Sequence, residues 1–304
     1  MSAGAATGVT PVRAWVLASR PATLPAAAVP VVVGGAVAFG EGGSIRPFVF
    51  LATLVCAGLI QVGTNFANDY SDFQRGADHE GRLGPLRVTQ SGLINGSAVK
   101  RGIVVAFGLA VLLGVALAWV GGWPIIAIGV LSLLSGLAYT GGPFPLGYHG
   151  LGDVFVFVFF GLVAVTGTAY LQTGEWSVIA LVLSVPIGLL ATNILVVNNL
   201  RDLPTDRAAG KRTLAVRIGD RTTRWQYAFL AALAYAIPAS IALNDASRRA
   251  LLFPLISLPL AIRLGRLVLD GVSGRELNPI LKRTAMLLLV FGVLLAFGAA
   301  IRPR

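Results

Sequence analysis

The chain has 304 residues, of which 56% are hydrophobic and only 12% charged, whereas a soluble domain carries roughly 25% charged residues. This composition and a mean hydropathy of +0.79 exclude an ordinary water-soluble domain and indicate an integral membrane protein. The net charge of +11 leaves nucleic-acid binding open until the basic residues are placed along the chain.

Long apolar runs recur along the whole chain. A helix that spans the hydrocarbon core needs about 20 apolar residues, and no long linker or soluble block separates the runs. We therefore expect an all-α bundle in a single transmembrane domain, residues 1–304. About nine transmembrane helices are predicted, near residues 14–39, 47–67, 99–120, 123–140, 151–172, 177–199, 225–243, 250–269 and 284–301.

The basic residues lie unevenly along this helix pattern. With nine helices, the N-terminus and the segments after helices two, four, six and eight share one side of the membrane. The other side holds only Arg46, Arg248, Arg249, Arg302 and Arg304 of the 24 Lys and Arg residues. This positive-inside pattern predicts a cytoplasmic N-terminus and cytoplasmic polar loops in the cell inner (plasma) membrane. The orientation of the protein in the membrane explains most of the positive charge. No nucleic-acid partner is predicted.

Two polar segments, residues 65–98 and 198–224, are much longer than the other connections and lie on the same predicted face. They resemble each other, because Asn68-x-x-x-Asp72 is echoed by Asn198-x-x-x-Asp202-x-x-x-Asp206. Four predicted helices separate them. This spacing indicates two pseudo-repeated four-helix units with Asp-rich cytoplasmic loops, and such repeats are known in membrane proteins.

Residues four apart stack on one face of a helix, so each segment offers a carboxamide and carboxylates at the end of a transmembrane helix. Asp69 lies about 100° round from its neighbour Asn68, and Asp78 follows Gly76, which is expected to end the helix. Grouped carboxylates repel one another, and a hard divalent cation is the simplest compensation. Mg²⁺ binds few protein carboxylates and completes its shell with water and phosphate, which predicts a phosphorylated ligand between the segments.

Basic side chains accompany the same carboxylates, and guanidinium groups bind phosphate oxygens in bidentate fashion. Mg²⁺, diphosphate and cations together would make diphosphate a leaving group, and a pocket that opens into a helix bundle suits a hydrocarbon chain. Each residue also has a structural interpretation. The basic residues could be orientation signals, the Asp residues could be salt-bridged helix ends, Tyr139 could belong to the interfacial aromatic belt, and Tyr148 and Asp153 could be structural.

At these residues the chain resembles the UbiA superfamily of membrane prenyltransferases, most closely the branch that prenylates 1,4-dihydroxy-2-naphthoate. The likeness covers nearly the whole chain and rests on four strings: NFANDYSDFQRGAD, GPLRVTQSG, AYTGGPFPLGYHGLGDVFVFVFFG and NNLRDLPTDRAAGKRTLAVRIG. The general family pattern often has an acid at the position of Gly76, and Asp78 looks like its substitute here.

The resemblance implies transfer of a long prenyl chain from a prenyl diphosphate to 1,4-dihydroxy-2-naphthoate, with loss of CO₂, by an enzyme in contact with membrane lipids. Asp72, Asp202, Asp206 and Tyr139 would be catalytic, with Tyr139 near the allylic carbon. The expected Mg²⁺ ligands are Asn68, Asp69, Asp72, Asp78, Asn198, Asn199, Asp202 and Asp206. The expected substrate-binding residues are Asn65, Asn68, Arg82, Arg87, Gln90, Lys211, Arg212, Tyr148 and Asp153.

Three alternatives remain at this point. A related transferase for 4-hydroxybenzoate, homogentisate or a porphyrin-type acceptor would share the diphosphate site, so the Asp segments cannot exclude it. A CDP-alcohol phosphotransferase also pairs Asp motifs at a membrane, but its D-G-x-x-A-R run is absent from the sequence. A divalent-cation transporter would not need long loops that pair acids with Arg. Its acidic residues should lie deeper in the bilayer.

Overall fold

The computed structural model describes residues 9–76 and 83–301, and every regular element within them is helical. The predicted site residues Asp78 and Arg82 lie outside the described residues. Ten helices form the bundle: α1 Pro11–Ser19, α2 Pro25–Gly40, α3 Pro47–Gln74, α4 Gly96–Gly121, α5 Trp123–Ala138, α6 Gly152–Thr173, α7 Val178–Ala208, α8 Leu214–Asn244, α9 Ala246–Leu269 and α10 Leu277–Ala300.

The predicted all-helical membrane architecture is confirmed. In the described part of the chain seven helices are long and apolar enough to cross a membrane, or eight if the bent pair α1 and α2 forms one span. The short apolar helix α5 takes the place of the remaining predicted span. Each predicted helix thus has a counterpart, and the protein is a multi-pass membrane protein.

The first predicted helix is broken into α1 and α2, whose axes differ by 53°. The break falls at Arg20, which has a left-handed backbone conformation with φ of 52°, and the following Pro21 opens a short 3₁₀ turn. A residue before proline is disfavoured in the α region, so the sequence Arg20-Pro21 ends α1. The break turns Arg20 into the bundle, where it lines a cavity.

Helices α3 and α7 extend beyond their predicted ends, to Gln74 and Ala208. The extensions carry the two Asn/Asp motifs, so the spacing of four residues does place Asn198 and Asp202 on one helical face. Both helices continue past the apolar region, and residues of their polar last turns line the same cavity.

Helices α7 and α10 form the centre of the bundle. Their fully buried apolar residues include Leu183, Ile187, Leu190, Leu287, Leu288 and Phe291. By contrast, α3 and α4 expose large apolar side chains on their outer faces, as expected of surfaces that contact lipid. Helix α3 packs along α4, and α7 packs along α8, an equivalence consistent with the predicted repeat.

Helix α6 contains a π-helical stretch, Phe157–Val163. Here Gly161 packs against Gly188 of α7, with no room for a Cβ at either residue. π-Helical turns are rare and often occur at functional sites. This one directs Phe159, Phe160 and Val163 into the cavity described below.

Candidate active site

One cavity of about 380 Å³ collects most of the predicted site residues. Its walls come from the region of Arg20 and from helices α2 to α7, with the loops after α3, α5 and α7 at one end. Predicted site residues that line it are Asn65, Asn68, Asp72, Arg87, Tyr139, Tyr148, Asn198, Asn199, Asp202, Asp206 and Lys211. Folding therefore brings the two Asp-bearing segments to a single site.

Asp72 is a buried carboxylate of the site with three side-chain partners, and it is 2% exposed. Arg87 Nη2 donates to Oδ2 at 2.6 Å, and the Tyr148 hydroxyl donates to Oδ1 at 2.6 Å. Lys211 Nζ lies 3.5 Å from the same Oδ1. Three separate loops thus converge on Asp72, which fixes the orientation of its carboxylate.

Lys211 joins the two halves of the site. Its ammonium lies 3.9 Å from Asp206 Oδ1 as well as near Asp72, and it sits over the Tyr148 ring, 4.5 Å from the ring centroid. The Arg212 backbone N–H donates to the Tyr148 carbonyl at 2.8 Å, which holds the loop after α7 against the loop before α6. The cation is therefore fixed between the two carboxylates, where it can meet a diphosphate.

Asn68 and Asp69 are neighbours with different environments. The Asn68 carboxamide oxygen faces the cavity and accepts a hydrogen bond from Thr140 Oγ1 at 2.7 Å. The Asp69 carboxylate points away from the cavity and accepts hydrogen bonds from Val88 N, Thr89 N and Thr89 Oγ1. It thereby anchors the turn that carries Arg87. This geometry favours a structural role for Asp69 over the predicted contact with Mg²⁺.

Asp202 lines the cavity in close contact with Arg201, whose Nε and Nη2 donate to its two carboxylate oxygens at 2.8 and 2.6 Å. Arg201 Nη2 also donates to Asn198 Oδ1 at 2.8 Å. Arg201 itself is 1% exposed and does not line the cavity. The buried Arg201 guanidinium thus contacts the second Asp motif from the side away from the cavity.

Three predicted substrate-binding residues lie elsewhere. Gln90 and the Arg212 side chain are exposed, because the turn after Thr89 and the loop after Lys211 lead away from the cavity. Asp153 is buried outside the cavity lining and accepts a hydrogen bond from Gln226 Nε2 at 2.9 Å. The structure therefore gives none of the three direct access to a ligand in the cavity.

The cavity also contains polar residues that the sequence analysis did not single out. They include Arg20, Thr23, Gln61, Thr64, Thr140 and Thr205. Asn65 Nδ2 donates to the Ser19 carbonyl at 2.9 Å and so holds the chain next to Arg20. Arg20 could have been identified from the sequence, because an arginine inside an apolar run is a functional candidate by default.

The residues at the polar end fit a hard cation bound together with a phosphate. The donors that face the cavity are carboxylate and carboxamide oxygens, which suit Mg²⁺. Within the described residues no group of three His, Cys, Asp or Glu side chains could hold a metal ion without other ligands. Mg²⁺ rarely occupies an all-protein cage, so this donor set fits an ion that shares its shell with diphosphate and water.

Away from the charged end the cavity is mainly apolar. It extends along α3 from Asp72 to Thr53, a distance of about 28 Å at the helical rise. The walls of this arm include Cys56, Leu117, Ile125, Ile128, Phe159 and Leu171. The site therefore joins a charged end that suits diphosphate to an apolar arm that suits a hydrocarbon chain.

Comparison with known proteins agrees with this geometry. Residues 27–278 match the UbiA prenyltransferase family. Two relatives named 1,4-dihydroxy-2-naphthoate octaprenyltransferase are similar over nearly their whole length. The one from Mycobacterium tuberculosis is 40% identical over 94% of this chain and 96% of its own, and the one from Escherichia coli is 37% identical over 95% and 97%.

The fold is also that of solved structures. A UbiA homolog from Archaeoglobus fulgidus, described as bound to GPP and Mg²⁺, superposes with a TM-score of 0.63. It is 15% identical, and the match covers 93% of this chain and 99% of that one. At this identity the likeness establishes the fold alone.

Proposed function

The chain belongs to the UbiA prenyltransferase family, and we propose that it transfers a long prenyl group from a prenyl diphosphate to 1,4-dihydroxy-2-naphthoate. The C–O bond of the prenyl diphosphate breaks, diphosphate leaves with the electron pair, and a ring carbon forms the new C–C bond. The carboxylate then leaves as CO₂, the electron pair of its bond to the ring restores the aromatic ring, and the product is demethylmenaquinol. The observation that carries the proposal is the single cavity in which carboxylates and cations adjoin a long apolar arm.

The acceptor is the part of the proposal that rests on the relatives. The relatives from Mycobacterium tuberculosis and Escherichia coli carry the naphthoate in their names and match almost end to end. A prenyltransferase for another aromatic ring would share the same diphosphate site, so the cavity geometry supports prenyl transfer more directly than it supports the choice of ring.

We assign Mg²⁺ binding to the oxygen donors that face the cavity. Asn68 and Asp72 would hold the ion on α3, and Asn198 or Asn199, Asp202 and Asp206 would hold it on α7. When bound, Mg²⁺ would neutralise charge on the diphosphate and make it a better leaving group. The solved UbiA homologs described with Mg²⁺ and prenyl diphosphates support this assignment.

Arg87 and Lys211 would take up the remaining negative charge of the diphosphate. Both line the cavity beside Asp72, and a fixed cation in a site shielded from water stabilises developing charge without reorganisation. Asp72 orients both cations, because it contacts each of them, and the Tyr148 hydroxyl fixes Asp72 in turn. The cationic groups are therefore in place before the C–O bond breaks.

Tyr139 would face the allylic carbon. Its side chain lines the cavity between the polar end and the apolar arm, where positive charge develops on the departing prenyl group. An aromatic face stabilises a desolvated cation by about 2 kcal/mol. The apolar walls formed by Phe155, Phe159 and Phe160 would exclude water, which would otherwise capture the cation.

We further propose that the protein lies in the cell inner (plasma) membrane with its N-terminus and the polar end of the cavity on the cytoplasmic side. The uneven distribution of Lys and Arg supports this orientation. Single cysteines placed in the loop after α3 and in the loop after α2, in a Cys56→Ser background, can be tested with a membrane-impermeant maleimide. Labelling of the after-α3 site in intact cells would contradict the orientation.

The function is tested with purified protein, Mg²⁺, a long prenyl diphosphate and an equimolar mixture of 1,4-dihydroxy-2-naphthoate and 4-hydroxybenzoate. Mass spectrometry should find prenylated, decarboxylated naphthoquinol, or the quinone that air oxidation forms from it, only when Mg²⁺ is present. Product from the benzoate alone would keep prenyl transfer and overturn the acceptor. No product from folded protein would overturn the proposal and direct the next assay to ion flux in proteoliposomes.

A further inference from the structure

Arg201 is the largest fully buried side chain of the described structure, yet it has no part in the site as proposed above. A buried guanidinium is costly unless its donors are matched by acceptors. The hydrogen-bond partners of Arg201 therefore indicate which groups this side chain fixes in place.

Three of these bonds go to two residues that face the cavity. Arg201 binds both oxygens of Asp202, at 2.8 and 2.6 Å, and also the carboxamide oxygen of Asn198, at 2.8 Å. Each carboxylate oxygen has two acceptor positions, so a bidentate contact leaves Asp202 able to accept on its cavity side. Arg201 thus fixes the direction of two predicted Mg²⁺ ligands without occupying their free positions.

A further bond leads away from α7. Arg201 Nη1 donates to Asn278 Oδ1 at 2.9 Å, and Asn278 Nδ2 donates to the Leu83 carbonyl at 2.9 Å. Asn278 lies at the start of α10, and Leu83 lies in the loop that follows α3. The second Asp motif is therefore tied, through one guanidinium and one carboxamide, to the chain that follows the first.

The loop lies directly against the guanidinium. A Cβ at Gly84 would come within 2.7 Å of Arg201 Nη2, so a larger residue at Gly84 would displace one of the two. Three residues further along, Arg87 lies on this loop and binds Asp72 of α3, and Arg201 packs against the same loop and binds Asp202 of α7. One loop therefore contacts the arginines that hold both halves of the site.

We propose that Arg201 is a positioning residue. Together with Asn278 it holds Asp202 and Asn198 at a fixed distance and direction from Asp72, so that one Mg²⁺–diphosphate unit can contact both Asp motifs. It acts through Asp202 and does not touch the substrate. The inference rests on the proposed function for its ligand and adds residues that the Asp motifs do not include.

The test is Mg²⁺-dependent binding of geranyl diphosphate, measured without an aromatic acceptor on the full-length protein in lipid nanodiscs. Partners that orient metal ligands are worth about 10- to 100-fold in metal affinity. Arg201→Lys loses the bidentate contact with Asp202, and Asn278→Ala keeps that contact but loses the connection to Leu83. Both should raise the half-saturating Mg²⁺ concentration by about this factor.

Arg224 provides a matched control. It is also a buried arginine, it binds both oxygens of Asp220 at 2.7 and 2.8 Å and two backbone carbonyls, and it lies outside the cavity lining. Arg224→Lys should lower thermal stability and leave the Mg²⁺ requirement unchanged. If Arg201→Lys does not fold, Asn278→Ala alone decides the question.

An unchanged Mg²⁺ requirement in the variants, or an equal rise in Arg224→Lys, would overturn the positioning role. Wild-type protein that binds geranyl diphosphate equally well with and without Mg²⁺ would instead overturn the proposed metal site. The two failures are therefore distinguishable in a single set of titrations.

Discussion

The Tyr148 hydroxyl donates a 2.6 Å hydrogen bond to Asp72 Oδ1, although 76 residues separate the two in the sequence. Tyr148 lies in the loop between α5 and α6, and Asp72 lies near the end of α3. The contact lies at the polar end of the cavity, where the Lys211 ammonium sits over the Tyr148 ring.

Loss of this hydroxyl should weaken the enzyme without unfolding it. A hydrogen bond to a charged group is worth about 1.5–3 kcal/mol, so Tyr148→Phe should lower kcat/KM for the prenyl diphosphate by about 10- to 100-fold. Tyr170→Phe is the control, because it removes another hydroxyl bond between helices, to the Gly121 carbonyl, far from the polar end. Equal losses in the two variants would contradict a special role for Tyr148.

Removal of the charge on the last Asp of each motif should abolish turnover. Asp72→Asn and Asp206→Asn keep the size of the side chain but remove a carboxylate that we assign to Mg²⁺. We expect a fall in kcat of at least about 1,000-fold, or 4 kcal/mol, in protein that still folds and keeps its elution profile. Full activity in either variant, assayed with excess Mg²⁺, would remove that residue from the metal site.

The adjacent carboxylates Asp69 and Asp72 should behave differently. Asp69 accepts hydrogen bonds from two backbone amides and one hydroxyl, so Asp69→Ala leaves buried donors unsatisfied, at about 1–3 kcal/mol each. Its main effect should be a lower thermal transition temperature, measured in detergent. The half-saturating Mg²⁺ concentration of the folded fraction should stay close to the wild-type value, and a rise of about tenfold or more would restore Asp69 as a metal ligand.

Prenyl chain length should be limited by glycines in the wall of the apolar arm. Gly114 and Gly129 line the cavity, and a Cβ at either one would meet open space. Gly129→Leu should fill part of the arm and lower kcat/KM for an octaprenyl diphosphate by about tenfold or more, the effect of 1–3 kcal/mol of overpacking. The value for geranyl diphosphate should change little, because a short chain does not reach this part of the arm.

The control for this prediction is Gly108→Leu. Gly108 lies on the same helix as Gly114, also has open space around its Cβ position, and does not line the cavity. Equal losses for both chain lengths in Gly129→Leu, or a loss of the long substrate in Gly108→Leu, would show that the glycine wall does not select chain length.

Periodicity and composition alone predicted much of the molecule. The helix pattern follows from apolar runs long enough for a bilayer, because the backbone of a spanning segment must satisfy its own hydrogen bonds. The spacing of four residues placed Asn198, Asp202 and Asp206 on one helical face for the same local reason. Both properties depend on residues that are close in sequence.

Other predicted residues could not be placed from sequence. Asp69 and Asp72 were both expected to bind Mg²⁺, but Asp69 anchors the turn at Thr89 and Asp72 faces the cavity. The path of the loop after α3 decides which groups each carboxylate meets. Gln90 and Arg212 belong to strings typical of the family, yet their side chains are exposed. Short-range patterns do not determine which side of a turn faces a cavity.

The sequence by itself determined that this is a helical membrane protein. It also determined that two helices end in Asp-bearing segments, and that the two segments together carry more basic than acidic side chains. Only the tertiary structure decided which cation holds which carboxylate. Arg87 contacts Asp72, Lys211 lies between Asp72 and Asp206, and Asn278 links Arg201 to the loop at Leu83. These pairings depend on loops and helices that are far apart in the chain, and packing of the bundle, unlike helix periodicity, is set by all of these elements at once.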